Sequence, residues 1–243
     1  LTGRVYFKDE VMWLGLSGSG ASFTFDGTKL VLKLKGDNIA VGDNPIDYAR
    51  IAVYVDGKRV VDEMIDCAEK EITVIDRTEN AQSVVEIIKL SESPMSAVGV
   101  EAFAEGSAEA LPEKPLKIEF IGDSITCGYG VDDEDENHQF TTATEDVTKA
   151  YAYKTAKALD AEYSMFSASG YGIISGYTEG DEPISEQTIP QFYCSYGFSR
   201  GNFAGTAPQD IPWDFSKYIP QIIVINLGTN DDSYCRDYKD RQA

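Results

Sequence analysis

The chain has 243 residues, of which 41 are acidic and 21 basic, so its formal net charge is −20. This charge excludes nucleic acid and anionic membrane surfaces as partners, but it does not discriminate among neutral substrates. No apolar run approaches the ~20 residues of a membrane-spanning helix, and the four cysteines form no C-x-x-C pair. We expect a soluble protein without a metal site. Because the chain opens on Leu1 instead of methionine, we expect further sequence upstream, and the compartment, cytoplasmic or secreted, stays open.

Residues 1–110 carry short segments of alternating apolar and polar residues, separated by turn residues. In the segment "KLVLKLKG", Leu30, Leu32 and Leu34 share one face, as in an antiparallel strand that is buried on one side. Asp56-Gly57 is a strong hairpin signal because both central positions of the turn need a positive φ. Several such strands without a helical pattern among them predict an all-β domain, a jelly-roll β-sandwich.

The composition changes at "EGSAEALPEKP", residues 105–115, which we interpret as a linker. Beyond it, strand patterns at 116–122, 162–170 and 221–228 alternate with a helical pattern at 150–160. This alternation predicts a parallel sheet in an α/β domain over residues 111–243. The long irregular stretch 171–218 is rich in Tyr, Gly, Ser and Pro, which is typical of a functional surface.

Polar motifs follow each predicted parallel strand: "GDSIT", "SASGYG" and "LGTND". Ligands of open parallel sheets bind beyond the carboxyl ends of the strands. Ser124 supplies a nucleophilic oxygen and a backbone N–H, Gly170 offers a second backbone N–H, and Asn230 offers a side-chain amide. Each such donor to a developing oxyanion is worth about 3 kcal/mol in the transition state. The three motifs together therefore predict acyl transfer.

Each motif also has a structural interpretation. "GDS" is common at a strand-to-helix turn, where Asp or Ser caps the helix, and "GTND" is compatible with a second cap. A glycine after a strand often serves a turn. The coincidence of all three motifs at strand ends favours catalysis over three unrelated caps.

These motifs resemble the first three sequence blocks of the SGNH, or GDSL-type, serine esterases. The longer segments "GDSITCGYG" and "WDFSKYIPQIIVINLGTND", behind a β-rich N-terminal part, resemble carbohydrate esterase family 2 over nearly the whole chain. The resemblance implies a jelly-roll domain ahead of an SGNH-hydrolase domain that removes O-acetyl groups from xylan or mannan. It implies Ser124 as nucleophile, and Ser124, Gly170 and Asn230 as the oxyanion hole. No metal or organic cofactor is implied.

The SGNH pattern also requires a D-x-x-H block whose histidine is the general base, and this sequence contains no such block. We therefore expect the α/β domain to be incomplete and the base to come from a C-terminal fragment or a second chain. The single histidine, His138, lies in the acidic segment "DDEDENHQF", which is typical of a solvated loop. A flexible loop near the serine leaves a catalytic role for His138 as the less favoured interpretation.

Two aromatic residues are candidates for substrate binding. Tyr129 follows the nucleophile closely, and Trp213 lies in the irregular stretch, where packing as core beneath the loop is an equal alternative. The leading function is a serine acetyl esterase acting on acetylated hemicellulose oligosaccharides. The alternatives are a carbohydrate-binding protein with a non-catalytic SGNH remnant and an SGNH esterase or lipase acting on small acyl esters.

Overall fold

The computed structural model describes residues 1–236. A large antiparallel sheet contains seven strands in the spatial order β1-β2-β7-β3-β6-β4-β5. The strands are β1 (Val5–Lys8), β2 (Val11–Leu14), β3 (Gly20–Gly36), β4 (Ala49–Val55), β5 (Lys58–Ile65), β6 (Glu69–Lys89) and β7 (Val98–Ala110). The predicted all-β part is confirmed as an antiparallel sheet, and the jelly-roll topology stays a prediction.

Alternation and turn chemistry explain the local structure. Leu30, Leu32 and Leu34 are buried on one face of β3, as the pattern predicts. The β4–β5 hairpin turns at Asp56 and Gly57, both with positive φ, which confirms the predicted turn. The segments that we expected to be separate short strands instead form the long strands β3 and β6, because the ladder continues through register shifts near residues 27–31.

The predicted linker is wrong over residues 105–110, which belong to β7 and pair with β3. Gly27 and Gly106 lie opposite each other in this ladder, and a Cβ on Gly27 would come within 2.7 Å of the Gly106 Cα. Two glycines therefore allow the strands to approach where a residue with a side chain would collide. Gly106, which resembles a linker residue in sequence, therefore serves this close crossing.

The second half contains a three-stranded parallel sheet in the order β10-β8-β9. Its elements are β8 (Lys117–Gly122), α1 (Ser124–Cys127), α2 (Tyr151–Ala158), β9 (Glu162–Ser167), α3 (Ile189–Phe192), β10 (Ile222–Asn226) and α4 (Thr229–Cys235). The predicted parallel sheet and the helix near 150–160 are confirmed, although β9 ends three residues earlier than expected. The division of the chain at 110/111 stays a prediction.

The two halves share apolar packing and ion pairs. Ile88 of β6 and Leu90, the first residue after this strand, pack in one buried cluster with Phe120 of β8. Arg50 pairs with Asp132 at 2.9 Å, and further ion pairs join Arg59 to Asp146 and Lys157 to Glu86. Within residues 1–236, no helix has both the length and the apolar character to cross a bilayer.

Candidate functional site

The carboxyl ends of the three parallel strands lie side by side. Gly122, the last residue of β8, is opposite Asn226 of β10 on one side and Ser167 of β9 on the other. The polar motifs that follow these strands therefore start from the same edge of the sheet, as the sequence predicts. This edge is where an open parallel sheet binds its ligands.

Ser124 opens α1 immediately after β8 and is half-buried. Asp123 is the N-cap, and its Oδ1 accepts the Ile125 N–H at 3.1 Å. Gly128 ends the helix with a φ of +83°, and its N–H donates to the Ser124 carbonyl at 3.1 Å. The capping interpretation of "GDS" is thus correct for Asp123, and the same turn leaves Ser124 at the end of the strand.

Gly170 has a φ of +80°, and a Cβ added to it would meet no atom within 4 Å. A glycine is favoured at this position because the backbone has a positive φ, and not because a side chain would collide with a neighbour. The Gly170 carbonyl accepts the Tyr177 N–H at 2.8 Å, which fixes the peptide that follows. The space beside Gly170 is therefore open on the side where a side chain would stand.

Asn230 lies in the first turn of α4 and is 7% exposed. Its Nδ2 donates to the Tyr171 carbonyl at 2.8 Å. A side-chain amide carries two N–H groups, so this bond uses one of them and leaves the other for a ligand. The bond also ties Asn230 to the loop that contains Gly170.

Two neighbours of Asn230, which the sequence reasoning missed, hold this loop in place. The Asp231 carboxylate accepts the backbone N–H groups of Ile173 and Ile174, at 3.0 and 2.6 Å, and of Ser175 at 3.1 Å. Ser233 Oγ accepts the Thr178 N–H at 2.9 Å. The helix that carries Asn230 therefore also positions the segment that follows Gly170. The acidic residue directly after "GTN" was the available signal.

Tyr129 lies close to the candidate nucleophile. Its backbone N–H donates to the Ser124 carbonyl at 3.1 Å, and the residue is 48% exposed. The ring stacks on Phe140 with a centroid distance of 4.1 Å and an interplanar angle of 10°. Burial and the nearby charges of Glu92 and Glu145 raise the pKa of the Tyr129 phenol. Phe140 was missed by the sequence reasoning because only the fold brings it to Tyr129.

Trp213 lies in a different environment. The centre of its ring is 5.3 Å from the guanidinium carbon of Arg4. The same guanidinium group also lies over the rings of Tyr193 and Phe215. Arg4 is fully buried and pairs with Glu119, in the middle of β8, at 3.3 Å. Within residues 1–236, no described contact brings Trp213 to the strand ends. The packing interpretation therefore describes its surroundings, and its role in substrate binding stays a prediction.

His138 is exposed and lies among acidic residues. Its Nδ1 is 2.8 Å from Asp133 Oδ1, and its Nε2 is 3.8 Å from Asp135 Oδ2. The two carboxylates thus face both ring nitrogens. We name residues 132–138 the acidic loop; it has the solvated character that the sequence predicts.

A second group of charged residues is fully buried. We call Lys89, Glu92, Cys127 and Glu145 the buried carboxyl cluster; all four side chains have no solvent exposure. Burial raises the pKa of both carboxyl groups and lowers that of Lys89 to about 8. Sequence reasoning missed the cluster. The available signal was Lys89 and Glu92 within an otherwise buried apolar segment.

Three members of this cluster have side chains of the kind that bind metal ions. Among residues 1–236, they are the one group of such side chains that lie close enough together to share an ion. Potential ligand atoms of Glu92, Cys127 and Glu145 lie within 4.8 Å of one another. Burial raises the pKa of the Cys127 thiol well above its ordinary value, so the thiol stays protonated, and Lys89 already places a positive charge nearby. Because a metal prefers thiolate and ionised carboxylate ligands, we assign no metal to this cluster.

The comparisons with known proteins support the family resemblance. Residues 1–115 match the carbohydrate esterase 2 N-terminal family. The cellulase/esterase CelE of Acetivibrio thermocellus is 32% identical over 236 residues, which cover 94% of this chain and 26% of that protein. The chain is related to the family 2 carbohydrate esterases. The predicted family is thereby confirmed.

Two further relatives of this family agree. An acetylxylan esterase / glucomannan deacetylase of Cellvibrio japonicus is 29% identical over 236 residues, with 94% of this chain and 60% of that protein covered. A family two carbohydrate esterase from Clostridium thermocellum, solved with cellohexaose, has a TM-score of 0.78 and 28% identity, covering 96% of this chain and 66% of that one. The chain spans 60% or less of the length of CelE and of the Cellvibrio japonicus protein.

Proposed function

We propose that this chain carries the nucleophile and oxyanion hole of a serine O-acetyl esterase that acts on acetylated xylan or mannan oligosaccharides. The strongest support for this proposal is the parallel pairing of β8 with β9 and β10. Because of this pairing, all three polar motifs begin at the same edge of the sheet. We further propose an SGNH-type α/β domain over residues 111–243, behind a jelly-roll domain over residues 1–110. Residues 237–243 of the proposed α/β domain lie outside the described residues.

In the proposed reaction, Ser124 Oγ attacks the acetyl carbonyl carbon and passes its proton to a general base. The negative charge that develops on the carbonyl oxygen is stabilised by the backbone N–H groups of Ser124 and Gly170 and by Asn230 Nδ2. The tetrahedral intermediate then expels the sugar oxygen, which takes the proton from the base. Water attacks the acetyl-serine in the same way, releasing acetate and restoring Ser124.

We propose that the general base is a histidine from a further polypeptide segment or a second chain. His138 does not suit the role because carboxylates face both of its ring nitrogens. The strand β10 supports docking of a further segment, since Ile222, Ile223 and Ile225 are 43–64% exposed. Parallel strands are ordinarily covered on both faces, as β8 and β9 are here.

Carbohydrate as the substrate class is supported by relatives that are named acetylxylan esterases and by the relative solved with cellohexaose. On this chain, we propose that Tyr129 contacts the sugar, because its exposed ring is preorganised by stacking on Phe140 beside the candidate nucleophile. A neutral glycan also suits a protein of net charge −20.

Ser124→Ala in the complete protein tests the proposal. We expect hydrolysis of an aryl acetate and of acetylated xylan to fall by at least about 10³-fold, because no acyl-enzyme can form. Asp232→Ala, an exposed change in α4, is the matched control and keeps its activity. Unchanged hydrolysis by Ser124→Ala would show that the assignment is wrong.

A second candidate is glycan binding without catalysis. It is favoured by a relative with 27% identity and a TM-score of 0.69, whose carbohydrate esterase active site is described as displaying divergent catalytic and non-catalytic binding functions. Calorimetric titration of the complete protein with cellohexaose and with acetylated xylan distinguishes the two. Binding of either glycan, together with no release of acetate from the acetylated xylan, would favour this candidate.

A further inference from the structure

One carboxylate oxygen touches two segments of the proposed active site. Glu92 Oε2 accepts the backbone N–H of Ser169 at 2.5 Å and lies 3.7 Å from the Cys127 sulfur. Ser169 directly precedes Gly170, and Cys127 ends the helix that Ser124 begins. The side chain of Glu92 therefore joins the segment of a proposed oxyanion donor to the segment of the proposed nucleophile.

Glu92 comes from the other half of the molecule. It follows the end of β6 by three residues, so it belongs to the part of the chain that contains none of the three strand-end motifs. Its backbone is fixed on both sides: the Glu92 N–H donates to Glu145 Oε2 at 2.8 Å, and its carbonyl accepts from Lys89 Nζ at 3.0 Å. The carboxylate is thus presented to Ser169 from a backbone that has little freedom.

The remaining groups around Glu92 are also buried. Cys127 Sγ is 3.2 Å from Ser167 Oγ at the end of β9, and Lys89 Nζ donates to the Ser91 carbonyl at 2.7 Å. Because water does not compete for it, a hydrogen bond in such a buried place is stronger than the same bond at the protein surface. The Glu92–Ser169 bond is therefore suited to fix the peptide that leads into Gly170.

We propose that Glu92 is a positioning residue of the proposed esterase site, delivered by the N-terminal β-rich half to hold the Ser169–Gly170 peptide in the orientation that the oxyanion requires. This inference rests on the proposed function. Oxyanion donors act by being preorganised, and a displacement of about 1 Å costs roughly 10²-fold in rate. The effect should fall on kcat, since the oxyanion exists in the transition state and not in the bound substrate.

Three substitutions in the complete protein test the proposal. The substrate is an aryl acetate, and each rate is divided by the concentration of folded enzyme. Glu92→Ala removes the acceptor, and we expect kcat to fall by about 10- to 100-fold with little change in KM. Glu92→Gln keeps an acceptor oxygen at the same reach and should restore kcat to within a few-fold of the wild type. Glu92→Asp shortens the reach and should lower kcat more than Glu92→Gln.

Glu119→Ala is the matched control, because Glu119 is also a buried carboxylate, bonded to the Tyr193 hydroxyl at 2.5 Å and paired with Arg4. We expect it to lower the melting temperature and leave kcat of the folded enzyme unchanged. If Glu92→Ala does not fold, the contrast between Gln and Asp at position 92 carries the test. Equal kcat for these two, or an equal loss of kcat in Glu119→Ala, would overturn the proposal.

Ser124→Ala separates this inference from the proposed function. If Ser124→Ala keeps the wild-type rate, the proposed function itself fails, whatever the Glu92 variants do. If Ser124→Ala is inactive and Glu92→Ala behaves like Glu119→Ala, the esterase assignment stands and only the positioning role of Glu92 is lost.

Discussion

Two acidic regions lie near the candidate nucleophile, and they differ in almost every physical respect. The acidic loop, residues 132–138, has the highest local density of negative charge in the sequence and lies mostly in solvent. The buried carboxyl cluster has two glutamates with no exposure, taken from positions 53 residues apart. One region is conspicuous in sequence, and the other becomes visible only in the fold.

The same side-chain chemistry has opposite electrostatic consequences in the two places. In the acidic loop, the backbone N–H of Asp135 and then the His138 ring lower the pKa of Asp133, so its charge is favoured. In the cluster, burial raises the pKa of Glu145 well above its ordinary value, so its neutral form is favoured. Charge density in a sequence therefore indicates solvated surface more reliably than it indicates a functional centre.

The largest expected contrast is in stability. Glu145→Ala leaves the buried Glu92 N–H without an acceptor, and we expect the free energy of unfolding to fall by roughly 2 kcal/mol. Asp135→Ala, the matched exposed change, should leave the denaturation midpoint where it is. Urea unfolding of both variants checks this, and an equal effect at the two positions would contradict the account.

The pH dependence of stability should differ in sign between the regions. Between the ordinary carboxyl pKa of 4.5 and the raised pKa of folded Glu145, the native state binds more protons than the unfolded state, so stability falls as the pH rises. For Asp133, whose folded pKa is lowered, the stabilising contribution is present above its ordinary pKa of 3.8 and is lost as the pH falls through its folded pKa.

Thermal unfolding between about pH 2 and pH 8 measures both effects. We expect Glu145→Gln to remove part of the loss of stability that the wild type shows above about pH 5. Asp133→Asn should weaken the loss on acidification instead. Lys89, Glu92 and Arg50 also face Glu145 and contribute to the pH dependence of the wild type. The contribution of Glu145 itself is therefore the difference between the stability-versus-pH curves of the wild type and of Glu145→Gln. Identical curves for the wild type and Glu145→Gln would refute the buried carboxyl assignment.

Tyr129 lies between the two regions, and its loss should act on substrate binding. We expect Tyr129→Ala to raise the KM for acetylated xylo-oligosaccharides by about three- to tenfold, with a smaller effect for an aryl acetate that has no sugar to stack. Phe103→Ala, an exposed aromatic on β7, is the control. Equal KM changes for both substrates would argue against a sugar contact.

The smallest expected effect is at His138. Because both ring nitrogens face carboxylates in an exposed loop, His138→Ala should leave kcat and the pH–rate profile within about twofold of the wild type. A loss of several hundredfold, with the loss of one limb of the pH profile, would place the general base in the acidic loop after all.

Much of the fold followed from local patterns in the sequence. The alternation of Leu30, Leu32 and Leu34, the Asp56-Gly57 turn and the strand-end motifs each report on neighbours along the chain, and the structure confirms them. The strand over residues 105–110 was missed because its Gly, Ala and Ser content imitates a linker. Only the opposing strand, with Gly27 facing Gly106, explains the glycine in this segment.

The candidate site, like the fold, was predictable where a local sequence pattern determines the position of a residue. Ser124, Gly170 and Asn230 each follow a strand of the parallel sheet, so their placement at one edge of that sheet follows from parallel pairing. Glu92 and Phe140 could not be assigned in this way, because their contacts with Ser169 and Tyr129 depend on tertiary packing and follow no local sequence pattern. A buried charge is recognisable in sequence only as an interruption of an apolar segment.

The most direct test of the central claim is covalent labelling of the complete protein with a fluorophosphonate, followed by peptide mapping. We expect one modified residue, Ser124, with labelling slowed by acetylated xylo-oligosaccharide and by Asn230→Ala, which removes an oxyanion donor. Labelling confined to another residue, or labelling that is indifferent to both substrate and Asn230, would contradict the account.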